Sequence, residues 1–279
     1  MPNAPFNPAS QFSAVRHGVI GSQHAGAFTV QCRVLNALIL REIKSKYGNR
    51  RLGFIWALIE PFLFISLFVA GFYLIGRTSQ SGIDAPLFFV AGFSPFFMFR
   101  DIFSQVSSGT TQQSSLLMFP QVTRMDILLS KVIVNFLISI FVFIVLMAGL
   151  YLLGFQFKVD DLLGVLIGLF LLVALGFGLG LVLGALTIRY DFISSVFEPL
   201  MGRPLFFASG LFFTASMLPP YAREYILYNP VLHCIEHIRS SLFTGFESRY
   251  VDLSYVLVFA LVLISFGLML LGVFERQRN

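Results

Sequence analysis

Six stretches of mostly apolar residues follow one another along this chain, and each is about as long as a helix that crosses a bilayer. They cover residues 56–75, 86–106, 133–153, 162–188, 194–213 and 253–274. A spanning helix needs about 20 such residues. Because lipid offers no partner for an unpaired backbone amide, spanning segments of this kind must be helical. The pattern predicts an all-α integral membrane protein with six transmembrane helices.

The composition supports a membrane protein over a soluble one. Hydrophobic residues make up 57% of the chain and charged residues 12%, whereas soluble domains carry about 25% charged residues. The 34 phenylalanines add more apolar surface than a soluble core of this size can bury. The net charge of +5 does not indicate a nucleic-acid partner, because the basic residues are distributed unevenly about the predicted spans.

Basic residues favour one set of loops. They precede the first span, lie between the second and third, follow the fourth and end the chain, whereas the alternate loops mix them with acids. The first set comprises Arg33, Arg41, Lys44, Lys46, Arg50, Arg51, Arg124, Lys131, Arg189, Arg276 and Arg278. By the positive-inside rule, both termini are predicted to be cytoplasmic.

Two segments outside the spans have predicted roles. Residues 1–28, rich in Pro, Gly, Ser, Asn and Gln, are expected to form a flexible cytoplasmic tail, so that the transmembrane domain covers 29–279 and opens with an interface helix over 29–47. Residues 214–252 are predicted to be external. Their apolar pieces are too short to span, which favours short re-entrant or interfacial helices.

The sequence carries no recognisable nucleotide site. Neither a GxxxxGK[ST] phosphate loop nor a dinucleotide-binding glycine pattern after a strand occurs. One catalytic alternative remains, an intramembrane metalloenzyme that would use His233, Glu236 and His237, because an H-x-x-E-H spacing places both imidazoles on one helix face. The favoured expectation is a chain with no chemistry and no cofactor of its own.

Charged residues inside the predicted spans need a physical reason, since each costs about 2.5–3.5 kcal/mol at the membrane centre. They are Glu60, Arg100, Asp101, Glu198 and Arg203. Glu60 and Glu198 each precede a proline near a predicted helix start, where the positive end of the helix dipole stabilises a carboxylate. Arg100 and Arg203 are expected to face a polar conduit or to pair across helices.

Two further patterns predict packing and docking. Gly176, Gly180 and Gly184 form a small-residue stripe on the fourth span, which favours close helix packing within the subunit. In the cytoplasmic link between the second and third spans, polar residues give way to Leu116, Leu117, Met118 and Phe119. This apolar run predicts a short helix that docks on a partner. The alternative is a helix lying in the headgroup region.

Three segments resemble the permease subunits of ABC-2 type polysaccharide exporters, most closely the KpsM-type capsular polysaccharide family. They are YGNRRLGFIWALIEP at 47–61, FPQVTRMDILLSK at 119–131 and LYNPVLHCIEHIRSSLFTG at 227–245. The similarity extends in order from about residue 30 to the end. It implies an ABC-2 type exporter fold and the function of a half-transporter, moving a lipid-linked acidic polysaccharide outward. Export of O-antigen or teichoic acid through the same fold is the alternative.

The resemblance also implies a bacterial inner-membrane location and partners, and the positions of charged, aromatic and apolar residues along the chain indicate candidate site residues. A second copy of the chain and two copies of a separate ATPase, which binds ATP and Mg²⁺, would complete the transporter, with periplasmic adaptor and outer-membrane export proteins beyond it. Residues expected to contact the ATPase are Leu116, Leu117, Met118, Phe119 and Pro120, with Arg124 and Asp126 as exposed charges at the rim. Candidates for the polymer path are Tyr47, Arg50, Arg51, Trp56, Arg100, Arg189, Tyr190 and Arg203.

Overall fold

The computed structural model describes residues 27–47, 53–111, 121–190, 192–193, 195 and 204–278. Its longer elements are the helices α1 (Ala27–Tyr47), α2 (Gly53–Leu74), α3 (Ala85–Thr111), α4 (Arg124–Leu152), α5 (Leu162–Arg189), α6 (Pro220–Ile226), α7 (Pro230–Leu242) and α8 (Leu253–Arg278). A 3₁₀ turn, Ala215–Met217, precedes α6. Two short antiparallel strands, β1 (Ser79–Gln80) and β2 (Ile83–Asp84), form the loop before α3.

Five described helices, α2, α3, α4, α5 and α8, are long and apolar enough to cross a membrane. They confirm helices at five of the six predicted spans. The helix of the third span begins at Arg124 rather than near residue 133 because the sequence supplies a capping box. The side chain of Thr123 accepts from the amide of Asp126 and the side chain of Asp126 accepts from the amide of Thr123, which satisfies two orphan donors of the first turn.

Residues 194 and 196–203 of the predicted fifth span, 194–213, lie outside the described residues. Within it, residues 204–208 are helical, and a turn at 209–210 ends the helix before 213. Gly210 takes the positive φ of 71° that glycine adopts without strain. The Phe206 ring lies 5.5 Å from Phe96, and the Phe212 ring 6.5 Å from Phe89. Residues 204–212 therefore run antiparallel to α3.

The glycine stripe of α5 packs against α3, which confirms the predicted role in packing. A methyl group added at Gly176 would lie 3.0 Å from the carbonyl oxygen of Phe99, one at Gly180 2.9 Å from that of Phe103, and one at Gly184 2.9 Å from that of Ser107. The residue numbers increase in the same order on both helices, from 176 to 184 in α5 and from 99 to 107 in α3. The two helices are therefore parallel, with their backbones as close as glycine permits.

Helix α8 also packs against α5, and it too is parallel to it. A methyl group added at Gly178 would lie 2.9 Å from Leu263, and one added at Gly267 would lie 2.7 Å from Leu181. Helices α3, α5 and α8 thus share one direction, and residues 204–212 take the opposite one. A chain that crosses a membrane between α5 and α8 would have this opposite direction.

Replacing Gly180 with alanine is expected to destabilise the α3–α5 pair. The added methyl group would lie within 3.0 Å of the Val106 side chain and of the Phe103 carbonyl, and such overpacking costs about 1–3 kcal/mol. Gly149→Ala in α4 is a matched control, because nothing lies within 4 Å of its added methyl group, and the alanine should even favour the helix. Thermal unfolding of the purified protein measures both. Equal melting temperatures for the two variants would contradict the packing argument.

The segment 214–252 contains short helices, as predicted, and proline fixes where they begin. Pro220 and Pro230 are the first residues of α6 and α7, positions that need no backbone donor. The Asn229 side chain accepts from the amide of Val231 at 3.0 Å and caps α7. All residues of α7 except His237 and Ser240 are buried, whereas α6 has no buried residue. Burial favours the re-entrant alternative for α7 and a surface position for α6.

Helix α2 is held to the bundle mainly through one phenylalanine face. Phe64 and Phe68, one turn apart, lie 5.5 Å and 5.2 Å from the ring of Phe93 in α3. The Phe206 ring lies 5.9 Å from Phe64. Other faces of α2 expose large apolar residues such as Phe62 and Leu67. Because α2 leans on α3 rather than on α4, a gap remains between α2 and α4.

Candidate functional site

The gap between α2 and α4 contains a cavity of about 350 Å³ at the end of the bundle where α1 meets α4. We refer to it as the charged groove. Its polar and aromatic lining residues are Lys46, Trp56, Glu60, Ser94, Phe97, Arg100, Asp101, Asn135 and Ser139. Four of these are ionisable, two of each sign, and they come from three different helices.

Three of the four charges, Lys46, Arg100 and Asp101, have close partners. The ammonium of Lys46 donates to Oδ1 of Asn135 at 2.6 Å, and Nδ2 of Asn135 donates in turn to the Lys131 carbonyl at 2.8 Å. Burial of the Lys46 amino group lowers its pKa, an effect that the negative charges of Asp101 and Glu42 oppose. Arg100 pairs with Asp101 at 3.1 Å, and its guanidinium lies 4.8 Å from the Phe97 ring centre.

Glu60 is the exception in the charged groove. It is exposed in α2 and makes no hydrogen bond or ion pair within the described part of the chain. It lies five residues inside the apolar span that begins at Ile55, a depth of about 8 Å at the helical rise of 1.5 Å per residue. This carboxylate therefore lies about one and a half turns from the start of that apolar span, and its oxygens are available as acceptors.

The candidate path residues predicted from the sequence fall into three groups. Trp56 and Arg100 line the charged groove. Arg189 is the last residue of α5, and its guanidinium lies 5.4 Å from the exposed ring of Tyr190, which follows it. Neither residue lines that groove. Arg50, Arg51 and Arg203 lie outside the described residues, as does the side chain of Tyr47, which ends α1.

Sequence reasoning missed part of the groove. Glu60 and Asp101 were visible as charges inside spans, but nothing in the sequence paired Arg100 with its neighbour rather than with another helix. Asn135 was the clearest missed signal, since a buried amide in an apolar span requires partners. Lys46 was counted only as one basic residue among many at the predicted membrane boundary.

The predicted ATPase-contact run Leu116–Pro120 lies outside the described residues, but both charges that follow it are described. Arg124 donates to the carbonyl of Thr110 at the end of α3. Asp126 is 2% exposed. It belongs to the capping box of α4 and accepts from the side-chain Nε2 of Gln31 in α1. The expectation of an exposed rim is therefore wrong for Asp126, which joins α1 to α4 inside the subunit.

In the H-x-x-E-H segment, His233 and Glu236 form structural hydrogen bonds to neighbouring segments. Nδ1 of His233 accepts from the amide of Asp252 at 3.0 Å, so that Nε2 carries the proton and donates to the Leu227 carbonyl at 2.8 Å. Both carboxylate oxygens of Glu236 are used, one by the amide of Ala215 and the other by the hydroxyl of Ser248. Two of the three residues that the metalloenzyme would use thus have their nitrogen or oxygen atoms engaged in structural hydrogen bonds, which removes the support for a metalloenzyme.

Arg239 was not anticipated as a core residue. It is fully buried in α7, and its guanidinium donates to the carbonyls of Gly210 at 2.6 Å, Phe88 at 3.3 Å and Leu211 at 3.4 Å. It also lies 3.6 Å from the Phe88 ring centre. Gly92 leaves the space for it, because an added methyl group there would collide with the guanidinium. Arg239 therefore fastens α7 to α3 and to the 210–211 turn.

The chain matches one protein family and is similar to several named membrane proteins. Residues 33–243 match the ABC-2 type transporter family. The polysialic acid transport protein KpsM of Escherichia coli is 31% identical over 87% of this chain and 94% of its own length. The capsule polysaccharide export inner-membrane protein CtrC of Neisseria meningitidis serogroup B is 28% identical over 90% of this chain and 94% of its own. The O-antigen export system permease protein RfbA of Klebsiella pneumoniae is 22% identical over 82% of this chain and 87% of its own. The chain is a member of the ABC-2 type transporter membrane family, a permease subunit and not an enzyme.

Proposed function

We propose that this permease exports an acidic capsular polysaccharide across the bacterial inner membrane, with energy from a separate ATPase. The observation that carries the proposal is the similarity over most of the chain to relatives named for polysialic acid transport and capsule polysaccharide export. O-antigen export is the second candidate, because the relative named for it shares 22% identity.

The distribution of charge supports an orientation with both termini in the cytoplasm. Lys46, Arg124, Lys131 and Arg189 lie toward one end of the bundle, since Lys46 bonds Asn135 beside Lys131, Arg124 bonds Thr110, and Thr110 packs on Gly184 near the end of α5. Asp84, Asp160 and Asp161 lie toward the other end, at the starts of α3 and α5. A basic end of this kind belongs in the cytoplasm.

Cysteine labelling tests this orientation. A cysteine at Glu224 or Glu247, both exposed, is expected to react with an impermeant maleimide added to the periplasmic side, in a background where Cys32 is serine and Cys234 stays buried. Arg223 is unsuitable for labelling, because its guanidinium bonds the carbonyls of Ala215 and Leu218 and the hydroxyl of Tyr250. A cysteine at Lys44 should react only after permeabilisation. The reverse pattern would overturn the topology.

The polymer path is proposed to begin at the basic end of the bundle. Arg189 and Tyr190 lie side by side there and offer a charge and an exposed ring. The same path is proposed to include Tyr47, Arg50 and Arg51, which precede α2 in the sequence. It is also proposed to include Arg203. An anionic polymer gains attraction from such charges, and aromatic faces contact sugar rings without strong bonds that would trap a moving chain.

In a strain that lacks this gene, polymer is expected to remain in the cytoplasm, and the wild-type gene should restore it to the cell surface. Arg50→Ala and Arg189→Ala should reduce surface polymer severalfold, because the electrostatic attraction is lost at the entrance, and leave permease abundance unchanged. Lys158→Ala, exposed at the opposite end, is the matched control. Surface polymer equal to wild type in both arginine variants would rule out this entrance. Normal capsule in the deletion strain would rule out the proposed function.

The working transporter is proposed to contain two copies of this chain and two ATPase subunits, with periplasmic and outer-membrane export proteins beyond them. Coupling to the ATPase is proposed to run through residues 116–126 and helix α1. The bond between Gln31 and Asp126 supports a shared route, because it fixes α1 to the start of α4 at the end of that link. Movement of the link would then be passed to both helices.

A further inference from the structure

A second cavity continues from the charged groove along the gap between α2 and α4. Its volume is about 650 Å³, and its lining is almost entirely apolar. Phe62, Ile65 and Val69 form one wall, Leu146 and Leu150 the other, and Val90 of α3 the floor. We refer to it as the apolar lane.

The groove and the lane are adjacent sections of one cleft. On α4 the lining residues recur every three or four positions, from Asn135 and Val142 in the groove to Leu146 and Leu153 in the lane, so that they share one helix face. On α3 the same holds for Ser94 in the groove and Val90 in the lane. Between Leu58 and Tyr73 the lane follows α2 for about 22 Å at 1.5 Å per residue, which is more than half of the roughly 30 Å hydrocarbon core.

The charges at the end of this cleft are balanced. Lys46 and Arg100 supply two cations, and Glu60 and Asp101 supply two carboxylates. Asp101 already accepts from Arg100, whereas Glu60 has no described partner. A purely anionic ligand would place its charge beside two carboxylates. A ligand with both a negative and a positive group matches the pattern, and an apolar tail matches the lane.

We propose that the charged groove and the apolar lane bind one phospholipid with a zwitterionic, primary-amine headgroup of the phosphatidylethanolamine type. Its phosphate contacts Arg100 and Lys46, its ammonium contacts Glu60, and one acyl chain lies along the lane between α2 and α4. This role goes beyond polymer export, and it assigns Trp56 and Arg100 to a lipid site rather than to the polymer path.

The experiment uses Trp56, which lines the groove and is the single tryptophan of this chain. The complete permease–ATPase complex is placed in bilayer discs that contain phosphatidylethanolamine and phosphatidylglycerol in equal amounts, one of them with brominated acyl chains. Bromine quenches tryptophan fluorescence only at close range. The same complex with Trp56→Phe supplies the background from tryptophans of the ATPase.

Brominated phosphatidylethanolamine is expected to quench Trp56 about threefold more than brominated phosphatidylglycerol. One partly exposed ion pair, here between Glu60 and the lipid ammonium, can account for an affinity ratio of this size. Glu60→Gln should reduce this ratio to about one. Glu224→Gln, which removes an exposed carboxylate from α6, should leave it unchanged. Arg100→Gln should weaken quenching by both lipids.

Three results would overturn the lipid site. Equal quenching by the two lipids in the unaltered complex would show that the groove does not select a zwitterion. A preference that survives Glu60→Gln would place the selectivity elsewhere. Protection of Trp56 from both lipids would show that protein, such as a second copy of this chain, covers the cleft. Each result is independent of which polymer the transporter exports.

Discussion

Replacing Arg239 with methionine is expected to destabilise the permease by about 3–5 kcal/mol, because the substitution leaves the buried carbonyls of Gly210 and Leu211 without this donor and each unsatisfied group costs about 1–3 kcal/mol. The contact with the Phe88 ring is lost as well. Abundance in the membrane and the melting temperature of the purified protein are the measurements. The expected result is little or no folded protein.

Two companion variants separate the role of Arg239 from a general effect of substitution. Arg239→Lys should also destabilise the protein, since an ammonium lacks the planar fork that reaches several carbonyls at once. Arg249→Met removes an exposed arginine from the same 214–252 segment and should change the melting temperature little. A melting temperature for Arg239→Met close to that of the unaltered protein would show that α7 is held by its apolar contacts alone.

The double variant Leu117→Asp, Phe119→Asp is expected to release the ATPase and abolish export. Full burial of a large apolar side chain contributes about 1.5–3 kcal/mol, so that losing two weakens the complex by at least about 100-fold. Described contacts fix the chain on both sides of this link, where Arg124 bonds Thr110 and Thr123 caps α4. The permease itself should therefore still insert and fold.

Co-purification of the ATPase with the tagged permease measures the effect of this double variant. Gln113→Asp adds a charge to the same link without removing an apolar side chain, and it is the matched control. A full complement of ATPase on the double variant would place the coupling elsewhere, with helix α1 as the next candidate. Charge reversal at Asp126 cannot serve as a docking test, because that carboxylate is buried and holds α1 to α4 inside the subunit.

The sequence by itself determined the membrane class and most helix positions. Runs of about 20 apolar residues require helices in lipid, and five such helices are present among the described residues. Asn229-Pro230 marked the start of α7, since proline suits a first turn and asparagine caps it. The glycine stripe on α5 predicted close packing, because small residues are what permit two backbones to approach.

Only the tertiary structure decided which side chains meet. Apolar periodicity shows that a segment leaves water, but it does not show which helices become its neighbours, and a charge takes its role from those neighbours. Arg239 looked like one charge of an external loop, yet it is fully buried because α7 packs against α3 where Gly92 leaves room. Lys46 and Glu60, distant from Arg100 in sequence, share a groove with it because α2 leans on α3 and stands apart from α4.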